Sequence, residues 1–219
     1  MMRSRIVKPH LLRTERTPDS GSSWSDYTDL VECWPFTSDE TGAHDSKTLT
    51  EVNGPLTYGA DGVDLEPGSS QRLTSGADSD FSITSGNAWS ATFRLKPESI
   101  ALSRVLTLGS SLYLRVGGSG IVQTVWGSSV HGSTETMTTG TSYFWALGFD
   151  GSDYWYSLDG GSKVTATKAS GPTISSPTVA VGGESWGQWY DGTIKDLSFW
   201  KRELTDAEID DYYAGNGPY

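Results

Sequence analysis

WYDGTIKDLSFWKRELTDAEIDDYY, residues 189–213, reads as one strand that runs directly into a short, well-capped helix. Thr205 stands at the N-cap position, Glu208 follows three residues later to bond back to its N–H, and Leu204 and Ile209 flank it as a hydrophobic staple. Ile209, Tyr212 and Tyr213 share one face at helical spacing, and Gly215 to Pro218 ends the element after about two turns. No other segment carries a comparable helical pattern. Earlier in the same stretch Ile194 is out of phase with Leu197 and Phe199, which predicts a bulge or a strand covered on both faces.

The remaining periodicity is that of strands. Trp89, Ala91, Phe93 and Leu95 alternate with Ser90, Thr92 and Arg94 until Pro97. Tyr143, Trp145, Leu147 and Phe149 alternate in the same way, Asp150 to Asp153 makes a turn, and Tyr154, Tyr156 and Leu158 continue as a hairpin. Leu112 to Val116, Ile121 to Trp126, and Val179 with Val181 add short strands between Gly- and Ser-rich turns. The fold class is therefore all-β, a sandwich with one small helix packed on it. A chain of 219 residues with 26 Gly and 9 Trp is long enough for one such sandwich with a substantial core.

Charge divides the chain. Residues 1–16 carry Arg3, Arg5, Lys8, Arg13 and Arg16 against Glu15, so with a net charge of −11 the rest stands near −15. The expected division is a basic arm and linker at 1–27 ahead of a domain at 28–219. Five cations without interleaved aromatics, in front of an acidic body, argue against nucleic acid, and the arm is expected either to pack across its own domain or, as the preferred reading, to dock a protein partner through residues 1–26. Ile6-Val7 and Leu11-Leu12 are split by Lys8-Pro9-His10, so no export signal is expected. No apolar run approaches the roughly 20 residues of a membrane span. Cys33 is the single cysteine, which excludes an intrachain disulfide and reads as a small buried residue.

LVECWPF at 30–36 followed by DETGAHDS, GADGVDLEPGSSQRLT at 59–74, WSATFRLKPES at 89–99, FWALGFDGSDYWYSLDGG at 144–161 and DGTIKDLSFWKRELTDAEI at 191–209 resemble the successive motifs of laminin-G-like jelly-roll domains in the concanavalin A-like superfamily. The resemblance covers residues 28–215. It implies two curved antiparallel sheets closed by the last strand and the short helix. It also implies a binding or adhesive module for glycans or proteins.

Retaining glycoside hydrolases of the same superfamily place two carboxylates about 5 Å apart from one strand in an E-x-D-x-x-E arrangement. That arrangement is absent, and His10, His44 and His131 are scattered, so the expectation is no enzyme, with a hydrolase built from separate strands as the lesser alternative. The resemblance makes calcium possible, with Asp39, Glu40 and Asp45 as candidate ligands, although Asp-rich turns are also expected for conformational reasons. No cofactor is required. One Cys and three dispersed His make zinc a poorer fit.

Sugars stack their C–H faces on aromatic rings, so rings away from core registers are the carbohydrate candidates. They are Trp126, which ends a strand, His131 near it, Trp155, which points opposite to Tyr154 and Tyr156, and Trp186 among glycines; Trp34, Trp89 and Trp145 sit in core registers. Two functions follow. One is an accessory subunit of a bacteriophage or similar particle, anchored by its arm in a virion or extracellular assembly after synthesis in the cytoplasm. The other is a free-standing carbohydrate-binding module.

Overall fold

The last strand of the chain organises the architecture. In the computed structural model, which describes residues 27–127, 129–167, 170–185 and 187–218, β15 (Gly192–Trp200) pairs along one side with β6 (Trp89–Pro97). Its other side is shared end to end. Gly192 to Ile194 pair with β4 (Gly62–Leu65), and Leu197 to Trp200 pair with β1 (Leu30–Trp34). Between the two partners the register with β6 shifts, Asp196 adopts φ 54°, and its N–H points at the Pro35 carbonyl at 3.5 Å. This is the bulge that the broken phase predicts. From Asp196 to Trp200 the strand is also buried on both faces.

The first sheet continues outward from β6 through β11 (Tyr143–Phe149), β12 (Asp153–Leu158) and β13 (Val164–Thr167), and from β4 to β3 (Thr57–Gly59). The second sheet runs, edge to edge, β10 (Ser129–Thr136), β9 (Ile121–Trp126), β8 (Leu112–Val116), β7 (Ser103–Leu108), β14 (Thr178–Val181), β5 (Arg72–Ala77) and β2 (Thr50–Val52). All pairings are antiparallel, so the chain is a two-sheet jelly-roll sandwich. Gly192 permits the close entry of β15, because a Cβ there would lie 2.3 Å from the Lys96 carbonyl oxygen and the residue has φ 124°.

Alternation places one set of side chains between the sheets. Trp89, Phe93, Leu95, Trp145, Leu147, Tyr154 and Tyr156 of the first sheet meet Leu106, Leu114, Val122 and Val179 of the second. Each large apolar side chain so buried contributes about 1.5–3 kcal/mol. The opposite positions of the first sheet form a smaller cluster, in which Cys33, Phe144, Ala146, Trp155 and Trp200 are covered by Leu204 and by Ile209 and Tyr212 of the closing helix α1 (Asp206–Tyr213). The helix begins as its sequence specifies. Thr205 Oγ1 accepts the Glu208 N–H at 3.3 Å, and Glu208 Oε2 accepts the Thr205 N–H at 2.8 Å. Tyr213 departs from expectation: Ile209 and Tyr212 are buried, whereas Tyr213 is 45 % exposed.

A buried carboxylate explains the DETGAHDS stretch. Glu32 is fully enclosed, and its Oε1 accepts the N–H groups of Cys33 (2.9 Å) and His44 (2.7 Å), while Oε2 accepts those of Asp45 (3.0 Å) and Lys47 (2.9 Å). Gly42 leaves the space, since a Cβ there would lie 2.3 Å from the Glu32 carboxyl carbon. No described helix is long and apolar enough to cross a membrane.

Candidate functional site

Helix α1 packs over Cys33 of β1, Phe144 and Ala146 of β11, Trp155 of β12 and Trp200 of β15, and the chain at its C-terminal end, Tyr213 to Gly215, borders an open space over β6 and β15. A cleft of about 690 Å³ opens there. Its floor is the outward-facing row of Arg94 and Lys96 from β6 and Thr193 and Lys195 from β15, paired Lys195 to Arg94 and Thr193 to Lys96. The β3–β4 turn supplies Ala60 and Asp61, the segment after β1 supplies Thr37, and Tyr213, Ala214 and Gly215 at the end of α1 border it.

Every charge in this cleft is held in place. Arg94 Nε donates to Asp196 Oδ2 at 3.0 Å, and Arg94 Nη2 donates to the carbonyls of Tyr212 (3.0 Å) and Tyr213 (2.9 Å), where a cation suits the negative end of the helix dipole. Burial raises the pKa of Asp196, while Lys195 and Arg94 oppose that rise. Lys96 Nζ donates to Asp61 Oδ2 at 2.7 Å and holds that carboxyl below its ordinary range. Lys195 Nζ donates to the Ala60 carbonyl at 2.9 Å. The Tyr213 ring lies 5.9 Å from that of Phe144 and against Gly160, where a Cβ would come within 2.7 Å of it. A half-exposed aromatic residue thus borders a cleft of fixed donors and acceptors.

Trp126 and His131 do come together, at 4.8 Å and 28°, but as a closed aromatic cluster with Phe149 and Tyr154. Trp126 is 6 % exposed, and its Nε1 donates to the Ser170 carbonyl at 3.2 Å, so it offers no open face to a sugar. Trp155 points away from Tyr154 and Tyr156 as expected, yet it is wholly buried under α1 with the Lys163 ammonium 4.5 Å from its ring centre. Both are corrected to packing residues. Trp186 and the arm residues Arg3, Arg5, Lys8, Arg13 and Arg16 lie outside the described residues.

Asp39, Glu40 and Asp45 each face a different partner. Asp39 Oδ1 accepts the Thr41 N–H at 2.9 Å, Glu40 Oε2 accepts the Tyr58 hydroxyl at 3.4 Å, and Asp45 stands 3.3 Å from His44 Nδ1. Among the described residues no three His, Cys, Asp or Glu side chains gather as a metal-binding group. The lining residues Lys96, Lys195 and Asp61 escaped the sequence reading because each is an ordinary solvated charge until β3, β4, β6 and β15 are assembled.

The two antiparallel sheets and the short closing helix define a jelly-roll sandwich. Residues 43–210 match the Laminin_G_3 model of the concanavalin A-like lectin/glucanases superfamily, and the chain belongs to that family. No curated protein matches the sequence significantly. Among solved structures, domain 4 of AbnA, a GH43 extracellular arabinanase from Geobacillus stearothermophilus in complex with arabinotriose, is similar with a TM-score of 0.67 at 16% identity, over 84% of this chain and 97% of that one. A mutant Trypanosoma rangeli sialidase with trans-sialidase activity gives 0.62 at 14% identity, over 84% of this chain and 32% of that one. The receptor-binding domain of botulinum neurotoxin mosaic serotype C/D gives 0.64 at 11% identity, over 85% and 51%. This chain thus spans about a third of the sialidase and half of the neurotoxin domain.

These likenesses are of fold, and they correct the expectation of no enzyme. The sandwich occurs as a domain of an arabinanase and within a sialidase, so the missing E-x-D-x-x-E strand does not separate this chain from glycan-processing proteins.

Proposed function

We propose that this domain binds saccharides, seating a sugar ring in the cleft against Tyr213. The observation that carries the reading is Tyr213, a half-exposed aromatic residue that lines a polar cleft of about 690 Å³. A tyrosine face suits the apolar C–H face of a sugar, and the Lys195 ammonium and the Thr193 and Thr37 hydroxyls suit its oxygens. The volume accommodates a short oligosaccharide. The lectin-like family and the arabinotriose bound to the arabinanase domain support the same reading.

The test is calorimetric titration with a panel of oligosaccharides that includes arabinotriose, on the native chain and on Tyr213→Ala. Loss of at least ten-fold in affinity, about 1.4 kcal/mol, with an unchanged melting temperature bears the reading out. Affinity that is indifferent to Tyr213→Ala, or no binding to any saccharide of the panel, sinks it. The particle-subunit reading and its docked protein partner rest on residues 1–26, which lie outside the described residues, and no observation favours them over saccharide binding.

A further inference from the structure

The second sheet carries a separate polar array on its own outer face. Arg104 of β7, Arg115 of β8, Gln123 of β9 and Gly132 of β10 stand in one cross-strand row. Arg115 and Gln123 point outward because their chain neighbours Leu114, Val116 and Val122 belong to the core between the sheets. Arg104 shares their face as the register partner of Arg115. The two arginines are thus directly opposite each other, an arrangement that is destabilising in a sheet without a counter-charge.

The surroundings fix this pair in place. The Arg104 guanidinium lies 3.7 Å from the centre of the Tyr113 ring, its Nε donates to Gln188 Oε1 at 2.9 Å, and its Nη1 is 4.0 Å from Glu184 Oε1. Burial pulls its pKa below the ordinary value; Tyr113 and Glu184 oppose that shift and Arg115 adds to it. Arg115 Nε donates to Gln123 Oε1 at 2.7 Å, and its guanidinium is 5.8 Å from Tyr113. That single bond sets the plane of the Arg115 fork, while its Nη atoms donate to no acceptor among the described residues. Gln123 keeps its amide N–H groups, and Gly132 adds no side chain beyond it.

We propose that this row is a second saccharide site, selective for a sugar that bears a carboxylate. A guanidinium held by Nε presents its two Nη donors as a bidentate edge for a carboxylate, and the Gln123 amide is placed to donate to an adjacent hydroxyl. Arg115, with buried Arg104 behind it, supplies a local positive charge in a chain of net charge −11. This site lies on the sheet opposite the Tyr213 cleft and does not depend on it.

Titration calorimetry of the full chain with oligogalacturonate, against arabinotriose as neutral control, tests the assignment. Oligogalacturonate is expected to bind, to weaken as salt is raised, and to lose at least ten-fold in affinity in Arg115→Gln and in Gln123→Ala, while Tyr213→Ala leaves it in place. Gln123→Ala carries the test if Arg115→Gln fails to fold. The assignment is overturned if oligogalacturonate does not bind, if both foldable variants bind it as the native chain does, or if Tyr213→Ala abolishes its binding, which would move the ligand to the cleft.

Discussion

Arg94 and Asp196 form a 3.0 Å ion pair at the point where β15 changes partner, and the same guanidinium ties down the last carbonyls of α1. One side chain therefore joins strand, bulge and helix terminus. Removing it takes the bonded partner from a buried carboxylate and leaves only the charge of Lys195 to oppose its burial. Arg94→Met is expected to destabilise the domain by about 3–5 kcal/mol at neutral pH in urea unfolding. Asp196 has a raised folded pKa, so its protonated form is favoured in the native state, and ionisation is what costs stability as pH rises through that pKa. The deficit of Arg94→Met is accordingly expected to shrink as pH falls and Asp196 is neutralised; a deficit constant from pH 7 to pH 3 would contradict this account.

Glu32 holds the 42–47 loop through backbone N–H groups that only an acceptor can satisfy. Glu32→Gln replaces one acceptor oxygen with a donor facing donors, and about 3 kcal/mol of stability is expected to be lost. Chemical denaturation measures it. A change under about 0.5 kcal/mol would show that the loop is held by other contacts.

Glu208 is shared between the N-cap of α1 and a bidentate pair with Arg202. Burial would raise its pKa, but the Arg202 and Thr205 bonds outweigh burial and lower it. A depressed folded pKa contributes stability above the unfolded value, and that stability is lost as pH falls through the folded value. Glu208→Gln is therefore expected to lower the melting temperature at pH 7 and to match the native chain at strongly acidic pH, while Thr205→Ala costs about 1 kcal/mol. Melting curves that stay parallel across this range would refute the sign.

Cys33 is enclosed, and its Sγ donates to the Pro218 carbonyl at 2.7 Å. Burial, reinforced by the Glu32 carboxylate, pushes its thiol pKa well up, so little thiolate exists to react. An aromatic disulfide reagent is expected to label it only on unfolding. Fast labelling of the native chain would mean that the 215–218 segment opens readily.

Tyr213 lines the cleft and is half-exposed, with its ring resting on Phe144 and Gly160, so Tyr213→Ala is expected to change saccharide affinity while moving unfolding free energy by less than about 1 kcal/mol. Paired calorimetric and denaturation measurements separate the two effects. A stability loss above about 2 kcal/mol would reassign the residue to packing.

Periodicity and capping are local properties, and they were readable from the chain alone. The alternation in Trp89–Leu95 and Tyr143–Phe149, the Thr205–Glu208 capping box and the phase break before Leu197 each depend on a few consecutive residues, and each takes its expected form. The order of motifs likewise carried the family. Glu32 was silent because its four donors lie one to fifteen residues away, on a loop whose path the sequence does not state.

What lies on the surface was settled by tertiary structure. Trp126 and Trp155 look like free rings in sequence, but His131 and Ser170 close over one and α1 over the other. Tyr213 has the spacing of a buried helical residue, yet as the last residue of α1 it is half-exposed, with its ring beside Phe144 and Gly160. The sequence thus determined the strands, the helix and the core registers, since these follow from short-range alternation and hydrogen bonding. The site residues Lys96, Lys195, Asp61 and Tyr213 became neighbours only through pairing between distant strands and the docking of the helix end, a relation set by long-range register.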